Sequence, residues 1–171
     1  MIRETREGKL FFDGVDMTEL AKKHGTPLYV YSENDIIGRF DDLRKNFVEK
    51  YERVRVAYAA KAFFPLAMAK LVDECGMCVD VVSGGELYTA IKAGFPAEKI
   101  EFNGNNKQYE ELEMAIEYGI GRIIVDGLTE LDIIEEICKE KGKTAKILFR
   151  VTPGVQSTSH DYIVTGKKDS K

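Results

Sequence analysis

The feature that most constrains the fold of this chain is a regular alternation of short β-branched runs with helical patterns. The β-branched runs begin about 22 to 27 residues apart and cover 27–31, 54–59, 77–82, 99–102, 122–125 and 145–151. Between them, apolar residues recur at helical spacing over 34–51, 66–75, 86–93, 109–118 and 130–141. Short strand–helix repeats of this kind predict parallel strands joined by right-handed crossovers.

Helix start and stop signals agree with the alternation. Ser32 and Ser83 are suited to cap the helices that follow them, and Ser83 with Glu86 has the pattern of a capping box. Pro65 suits the first turn of a helix. Glycine, which favours the conformation of a helix C-cap, follows the helical patterns at Gly76, Gly94, Gly119 and Gly142.

Two α/β architectures are compatible with the repeat, namely an open doubly wound sheet and part of a (β/α)8 barrel. The chain contains neither the G-x-G-x-x-G pattern of dinucleotide-binding folds nor a P-loop. The near-constant spacing fits the barrel better, although a complete barrel takes about 250 residues. This chain has 171 residues, so the repeat stops early.

The composition is that of a folded domain with no basic face. Hydrophobic residues make up 44% of the chain and charged residues 32%, and the formal net charge is −4. This mild acidity argues against a nucleic acid or an anionic membrane as partner. With no long apolar run, no secretory signal and only three cysteines, the chain is expected to be cytoplasmic.

Cys75 and Cys78 form a C-x-x-C pattern, which is compatible with a redox pair or half of a zinc site. No second such pair and no H-x-x-x-H partner accompany it in the sequence. We therefore favour two partly buried thiols at a helix end and a strand start, and we predict no metal site.

Polar side chains follow five successive predicted strands. Because parallel strands place their carboxyl ends at one edge, these residues are expected to form a site there. They are Lys61, Asp80, Asn103, Asp126 and Arg150.

Lys61 is the most informative residue of this set. We expect Ala57, Ala59 and Lys61 to alternate onto one face of a strand, where the two alanines leave space for a ligand. A partly desolvated lysine amine can form a Schiff base with an aldehyde cofactor. The alternative is a surface lysine that ends a strand.

Several ordered motifs carry a resemblance to a known family over about residues 25–171. Tyr58-Ala-Ala-Lys61-Ala-Phe63 resembles the cofactor-lysine signature of pyridoxal-phosphate decarboxylases that have an alanine-racemase-like barrel. Four further segments and the tail that contains His160 resemble the diaminopimelate decarboxylases. The four segments are 79–87, 93–96, 104–107 and 150–155.

This resemblance implies the fold, the cofactor and roles for three residues. The family decarboxylates meso-2,6-diaminopimelate to L-lysine and CO2, the last step of lysine biosynthesis, with pyridoxal 5'-phosphate held as a Schiff base on Lys61. Asp80 is then expected to line the cofactor pocket and hold Lys61 positively charged, and Arg150 to order the hydrogen bonds there. The alternatives are a bond from Asp80 to the next turn and an ion pair between Arg150 and a neighbouring carboxylate.

The resemblance leaves smaller roles for other residues. Asp126 and Asn103 are expected to contact the site residues rather than the ligand itself, and His160 to be part of a loop. Phe63 and Asn103 stand where many relatives have asparagine and histidine.

The resemblance also implies a domain organisation. Residues 1–32 are expected to pack with a C-terminal β domain in the family, and 33–171 to form the first part of the barrel, with about five of eight strands. We expect the complete protein to be a homodimer and this N-terminal portion alone to be catalytically inactive. The alternatives are a decarboxylase of another basic amino acid, a non-catalytic pyridoxal-phosphate-binding barrel, and a small α/β binding module.

Overall fold

A computed structural model describes residues 3–151, and it divides the chain into two compact units, Met1–Val56 and Ala57–Lys171. His160 and the family-like tail around it lie outside the described residues. Within the described part, no helix is both long enough and apolar enough to cross a bilayer.

The first unit begins with a small antiparallel sheet that the sequence did not predict. Its strands are β1 (Arg3–Arg6), β2 (Lys9–Phe12) and β3 (Val15–Asp16), and they pair in chain order. Helix α1 (Met17–His24) follows directly, capped by Asp16, whose Oδ1 accepts hydrogen bonds from the backbone amides of Thr18 and Glu19.

Two predictions for this unit were wrong. Residues 27–31 form no strand, and most of their side chains are exposed. No described strand pairs with them, and β-propensity does not form a strand without a partner. The next helix, α2 (Glu33–Asn46), starts where predicted, with the Ser32 hydroxyl accepting a hydrogen bond from the Asp35 amide, but it ends five residues before Tyr51.

The described part of the second unit, up to residue 151, contains five strands alternating with four helices. The strands are β4 (Ala57–Ala59), β5 (Cys78–Val81), β6 (Ile100–Phe102), β7 (Arg122–Val125) and β8 (Ile147–Phe149). The helices are α3 (Leu66–Glu74), α4 (Gly84–Ala93), α5 (Tyr109–Tyr118) and α6 (Leu128–Lys141).

The strand order settles which architecture the repeat builds. All four neighbouring pairs are parallel, and the order β4-β5-β6-β7-β8 follows the chain without a reversal. A doubly wound sheet reverses its strand order at a switch point, whereas a barrel does not. The sheet is therefore five strands of an incomplete (β/α)8 barrel, as predicted.

The two faces of this sheet differ in composition. On the helix-covered face, the side chains are almost wholly buried; they are Val79, Val81, Ile100, Phe102, Ile123 and Val125. Ile123 and Val125 belong to a core cluster with residues of α5 and α6, which shows that this face meets the helices.

The opposite face, here called the polar face, carries a row of charged residues. Asp80 lies opposite Glu101 in the register of β5 and β6, and Glu101 lies opposite Arg122 in that of β6 and β7. All three side chains are half-buried.

The helix boundaries mostly follow the predicted punctuation. Ser83 caps α4, and Gly94, Gly119 and Gly142 end α4, α5 and α6 in the left-handed conformation. Pro65 differs from the prediction because it is the N-cap residue of α3 rather than part of its first turn.

Candidate functional site

The carboxyl ends of the five parallel strands bring the predicted polar residues to one edge of the sheet. Asp80 lies within β5, and the others follow the strands; they are Lys61, Asn103, Asp126 and Arg150. Placing these residues together is a consequence of parallel strand order rather than of proximity in sequence.

Lys61 does not lie in the strand as expected. Strand β4 ends at Ala59, and residues Ala60–Ala62 form a single turn of 3₁₀ helix that carries the lysine. The hydroxyl of Tyr58 donates a hydrogen bond of 2.8 Å to the carbonyl of Phe63, which closes the segment around the turn. The alternation of Ala57, Ala59 and Lys61 onto one strand face is therefore wrong, and the turn leaves the Lys61 side chain exposed.

Asp80 lies one strand away from Lys61 and is influenced by its charge. Burial raises the pKa of the Asp80 carboxyl above its ordinary value, and the nearby carboxylates of Glu101 and Glu86 raise it further. A hydrogen bond from Asn103 and the positive charge of Lys61 act on this pKa in the opposite direction. Burial and the two carboxylates thus favour the neutral form of Asp80, whereas Asn103 and Lys61 favour its carboxylate.

The charged row on the polar face explains part of this balance. Arg122 Nε lies 3.4 Å from Glu101 Oε1, so the arginine partly neutralises the carboxylate that faces Asp80. Glu101 was not predicted as a site residue, although the period of two along β6 and the register with Asp80 place it beside the site.

Arg150 forms an ion pair at the far edge of the sheet. Its Nη1 lies 3.2 Å from Asp126 Oδ1, and its backbone amide donates a hydrogen bond of 2.9 Å to the carbonyl of Val125. This is the ion pair with a neighbouring carboxylate that the sequence left open. The structure thus brings Lys61 and Asp80 together on adjacent strands and places Arg150 with Asp126, three strands from Asp80.

In α4, α5 and α6, a glutamate in the first turn of the helix accepts a hydrogen bond from the backbone at this edge. Glu86 Oε2 accepts a hydrogen bond of 2.8 Å from the Val82 amide, rather than from Ser83 as an ideal capping box requires. Glu130 Oε2 accepts one of 3.1 Å from the Asp126 amide.

Glu111, in the first turn of α5, connects the start of its own helix to the start of α4. Its Oε2 accepts a hydrogen bond of 2.9 Å from the Gln108 amide, and its Oε1 accepts one of 2.6 Å from the amide of Gly84, the first residue of α4. In the sequence, the signals for this contact are Gly84 and a glutamate three positions after Gln108. In the structure, a Cβ atom at position 84 would lie only 2.6 Å from Glu111 Oε1.

The cysteines have the positions that we favoured. Cys75 is half-buried at the C-terminal end of α3, and Cys78 is buried at the start of β5, at the amino end of the strand and away from the candidate site. Among the described residues, no group of three or more histidine, cysteine, aspartate or glutamate side chains is arranged to hold a metal ion.

The residues of this edge fit an aldehyde cofactor that is bound through an amine. Lys61 provides an exposed primary amine, and Asp80 provides a carboxyl group beside it. Within the described part of the chain, Asp80 Oδ1 is buried and accepts no hydrogen bond, so it is available to a cationic group of a ligand.

Comparison with known proteins agrees with this chemistry. Residues 33–171 match the family model of the pyridoxal-dependent decarboxylases, specifically its pyridoxal-binding domain. The match confirms pyridoxal phosphate as the expected cofactor, whereas the roles of Lys61, Asp80 and Arg150 stay predictions.

The most similar relatives include diaminopimelate decarboxylases. That of Bacillus subtilis is 51% identical over 169 residues, which is 99% of this chain and 38% of the relative. A crystal structure of the Methanocaldococcus jannaschii enzyme with L-lysine superimposes with a TM-score of 0.88 at 44% identity, covering 98% of this chain and 39% of the other.

A more distant neighbour shows how far the fold extends. The lysine/ornithine decarboxylase of Vibrio vulnificus superimposes with a TM-score of 0.68 at 20% identity, which supports the fold alone. The chain spans 38% of the length of the Bacillus relative. Since the family model matches most of the sequence, this chain belongs to the pyridoxal-dependent decarboxylases.

Proposed function

We propose that the complete protein containing this chain decarboxylates meso-2,6-diaminopimelate to L-lysine and CO2. The observation that carries the proposal is the exposed amine of Lys61, held by a turn at the carboxyl edge of the sheet beside the Asp80 carboxyl. The similarity to diaminopimelate decarboxylases over nearly the whole chain supports the substrate.

Lys61 binds the aldehyde of pyridoxal phosphate in this proposal. The turn of Ala60–Ala62 carries Lys61 at an exposed position, flanked by two alanines. When bound, pyridoxal phosphate supplies an electron sink that accepts the electron pair left as the carbon–carbon bond to the departing carboxylate breaks.

Asp80 sets the charge near that amine. The positive charge of Lys61 and the hydrogen bond from Asn103 both favour the ionised form of Asp80. Glu101 opposes this ionisation, while Arg122 offsets the charge of Glu101. Arg150, oriented by Asp126, supplies positive charge and hydrogen-bond donors at the same edge of the sheet.

We also propose a domain organisation, an oligomeric state and a location for the complete protein. Residues 1–32 pack with a C-terminal β domain, and 33–171 form the first part of the barrel. The complete protein is a homodimer in the cytoplasm. The family resemblance supports these statements, and sedimentation of the complete protein tests the dimer.

The decisive test uses a chimera, defined here as residues 1–171 of this chain in place of the segment that they match in the Bacillus subtilis enzyme. We expect it to take up pyridoxal phosphate, to carry the cofactor on Lys61 after borohydride reduction and peptide mapping, and to release CO2 from meso-diaminopimelate. Release from L-lysine or L-ornithine instead would favour the related basic-amino-acid decarboxylases. Cofactor uptake without CO2 release would favour a non-catalytic barrel, and no uptake would contradict the proposal.

The 171-residue chain alone is expected to be inactive. Its last described strand, β8, leaves Phe149 58% exposed, since nothing in the described part covers that edge. Radiolabelled CO2 release by the purified chain, measured beside the chimera, checks this expectation. A rate equal to that of the chimera would contradict it.

A further inference from the structure

Lys107 is a buried cation that the proposed function does not use. Its side chain is 1% exposed and lies between the loop after β6, the end of β7 and helix α6. Its Nζ lies 2.7 Å from the carbonyl oxygen of Gly104, 2.8 Å from that of Ile124 and 2.7 Å from Glu130 Oε1. Burying an amine is costly unless such partners surround it.

On one side, Lys107 holds the loop that aligns Asn103. The Gly104 carbonyl accepts from Lys107, and the Gly104 amide donates a hydrogen bond of 2.9 Å to Asn103 Oδ1. The Asn103 amide donates one of 2.8 Å to the carbonyl of Val81, which follows Asp80, and the Asn103 side chain acts to lower the pKa of the Asp80 carboxyl. The position of Asp80's partner thus depends on the loop that Lys107 ties down.

On the other side, Lys107 holds the group that aligns Arg150. It pairs with Glu130, whose side chain is 12% exposed. The second oxygen of Glu130 accepts the Asp126 amide at 3.1 Å, and Asp126 pairs with Arg150 at 3.2 Å. One ammonium group is therefore connected to both Asp80 and Arg150, which lie on strands too far apart for direct contact.

The opposite end of β6 offers a comparison. Lys99 Nζ lies 2.8 Å from Asp73 Oδ1, and both side chains are about one-third exposed. This pair joins the residue before β6 to α3 and reaches none of the candidate site residues. A buried ion pair is often no more stabilising than an apolar pair of the same size, so stability alone does not account for Lys107 and Glu130.

We propose that Lys107 is a positioning residue, which through Asn103 and Asp126 holds Asp80 and Arg150 in their working geometry. This inference rests on the proposed function of those two residues. A displacement of about 1 Å at a reacting site can lower the rate by about a hundredfold, so the loss of Lys107 is expected to act mainly on kcat.

The test compares the chimera with its variants Lys107→Met, Glu130→Met and the double variant. We expect each single variant to lower the unfolding midpoint, because it leaves one buried charge without its partner. The double variant recovers part of the midpoint because it leaves no unpaired charge, yet its kcat stays about tenfold to a hundredfold below that of the chimera while KM changes little. Lys99→Met is the control, expected to lower the midpoint and leave kcat unchanged.

Amide hydrogen exchange in the cofactor-free chimera provides a readout that does not depend on activity. We expect the amides of Gly104 and Asp126 to exchange faster in Lys107→Met, because their acceptors, Asn103 Oδ1 and Glu130 Oε2, are still present but no longer held by the lysine. The Val82 amide, bonded to Glu86, is the internal control and is expected to stay protected.

A double variant that regains both its midpoint and its kcat would overturn the proposal, as would unchanged exchange at both amides. If the Met variants do not fold, Glu130→Gln keeps an oxygen for the Asp126 amide and removes only the charge. It is expected to lower kcat about threefold to tenfold, and an unchanged kcat would again overturn the proposal. A parent chimera that binds no pyridoxal phosphate contradicts the proposed function instead, while the exchange data still report on the contacts of Lys107.

Discussion

On the helix-covered face of the parallel sheet, Val79 and Ile100 are fully buried, whereas on the polar face their immediate neighbours along the chain, Asp80 and Glu101, are half-buried and charged. The same strands thus supply a core on one side and a charged row on the other. Because side chains alternate along a strand, the apolar face fixes the register, and the register then determines which charges meet.

The comparison teaches that the stability of this unit and its chemistry come from alternate residues. A substitution on the helix-covered face is expected to change folding, and one on the polar face to change the site. Variants of the chimera test this division between the two faces.

The largest effect on stability is expected from Phe102→Ala on the helix-covered face. Phe102 is fully buried, and removing a buried phenylalanine side chain costs about 3–5 kcal/mol. Urea unfolding measures the loss. Leu128→Ala, at a side chain that is 76% exposed, is the control and is expected to change stability by less than about 0.5 kcal/mol. Equal losses of stability for the two variants would contradict the role of the helix-covered face in folding.

Lys61→Ala, in contrast, is expected to leave stability unchanged and to abolish cofactor attachment and activity. The side chain is exposed, so the unfolding midpoint without cofactor stays unchanged, but borohydride no longer attaches pyridoxal to the protein and CO2 release is lost. Mass spectrometry of the reduced protein measures the attachment. Lys70→Ala, at an exposed position of α3, is the matched control and is expected to retain both properties. Continued attachment in Lys61→Ala would place the cofactor on another lysine.

A smaller, pH-dependent effect is expected from Asp80→Asn on the polar face. Burial and Glu101 raise the pKa of Asp80 in the folded protein, so the unfolded state ionises first as the pH rises. Asp80 therefore costs no stability below the ordinary pKa of an aspartate, and the cost develops as the pH rises from that value through the folded pKa.

Unfolding midpoints measured across this pH range check whether Asp80 lowers stability as the pH rises. Asp80→Asn is expected to stabilise the cofactor-free chimera at neutral pH and to have no effect in strong acid. Glu101→Gln should act in the same direction and more weakly, because it removes only one cause of the raised pKa. A destabilised Asp80→Asn variant at neutral pH would show that the carboxylate is well solvated there.

The smallest effect is expected from Lys139→Ala on the exposed side of α6. Lys139 Nζ lies 2.6 Å from Glu135 Oε1, but both side chains are largely exposed, and such pairs contribute little. Thermal unfolding in low and high salt measures the difference, and no change in midpoint is expected in either. A clearly lower unfolding midpoint at low salt would show that exposed charges outside the polar face also stabilise the unit.

The sequence predicted the second unit well because its helices and strands carry their own signals. The bounds of α5 and β7 match their predicted ranges, and the glycines that end α4, α5 and α6 lie where expected. Strong periodicity and glycine at each helix end made these elements independent of distant contacts.

Other features depend on contacts that a sequence does not display. The short strands of β1–β3 contain many charged residues, and 27–31 has β-branched and aromatic side chains but no strand partner. Lys61 was found by its position after a strand, yet its turn was not. The contacts of Lys107 and Glu101 arise from strand register and loop packing, so they appear only in the folded chain.

The glutamate and lysine contacts between loops determine which parts of this fold can be exchanged by recombination. Glu111 of α5 accepts a hydrogen bond from Gly84 at the start of α4, and Lys107, in the loop before α5, pairs with Glu130 of α6. A crossover between related genes that falls between Gly84 and Glu130 separates partners that must match. Residues 84–130 are therefore expected to be exchanged as one unit. Crossovers placed at the amino ends of β5 and β8 should yield folded proteins more often than crossovers within residues 84–130.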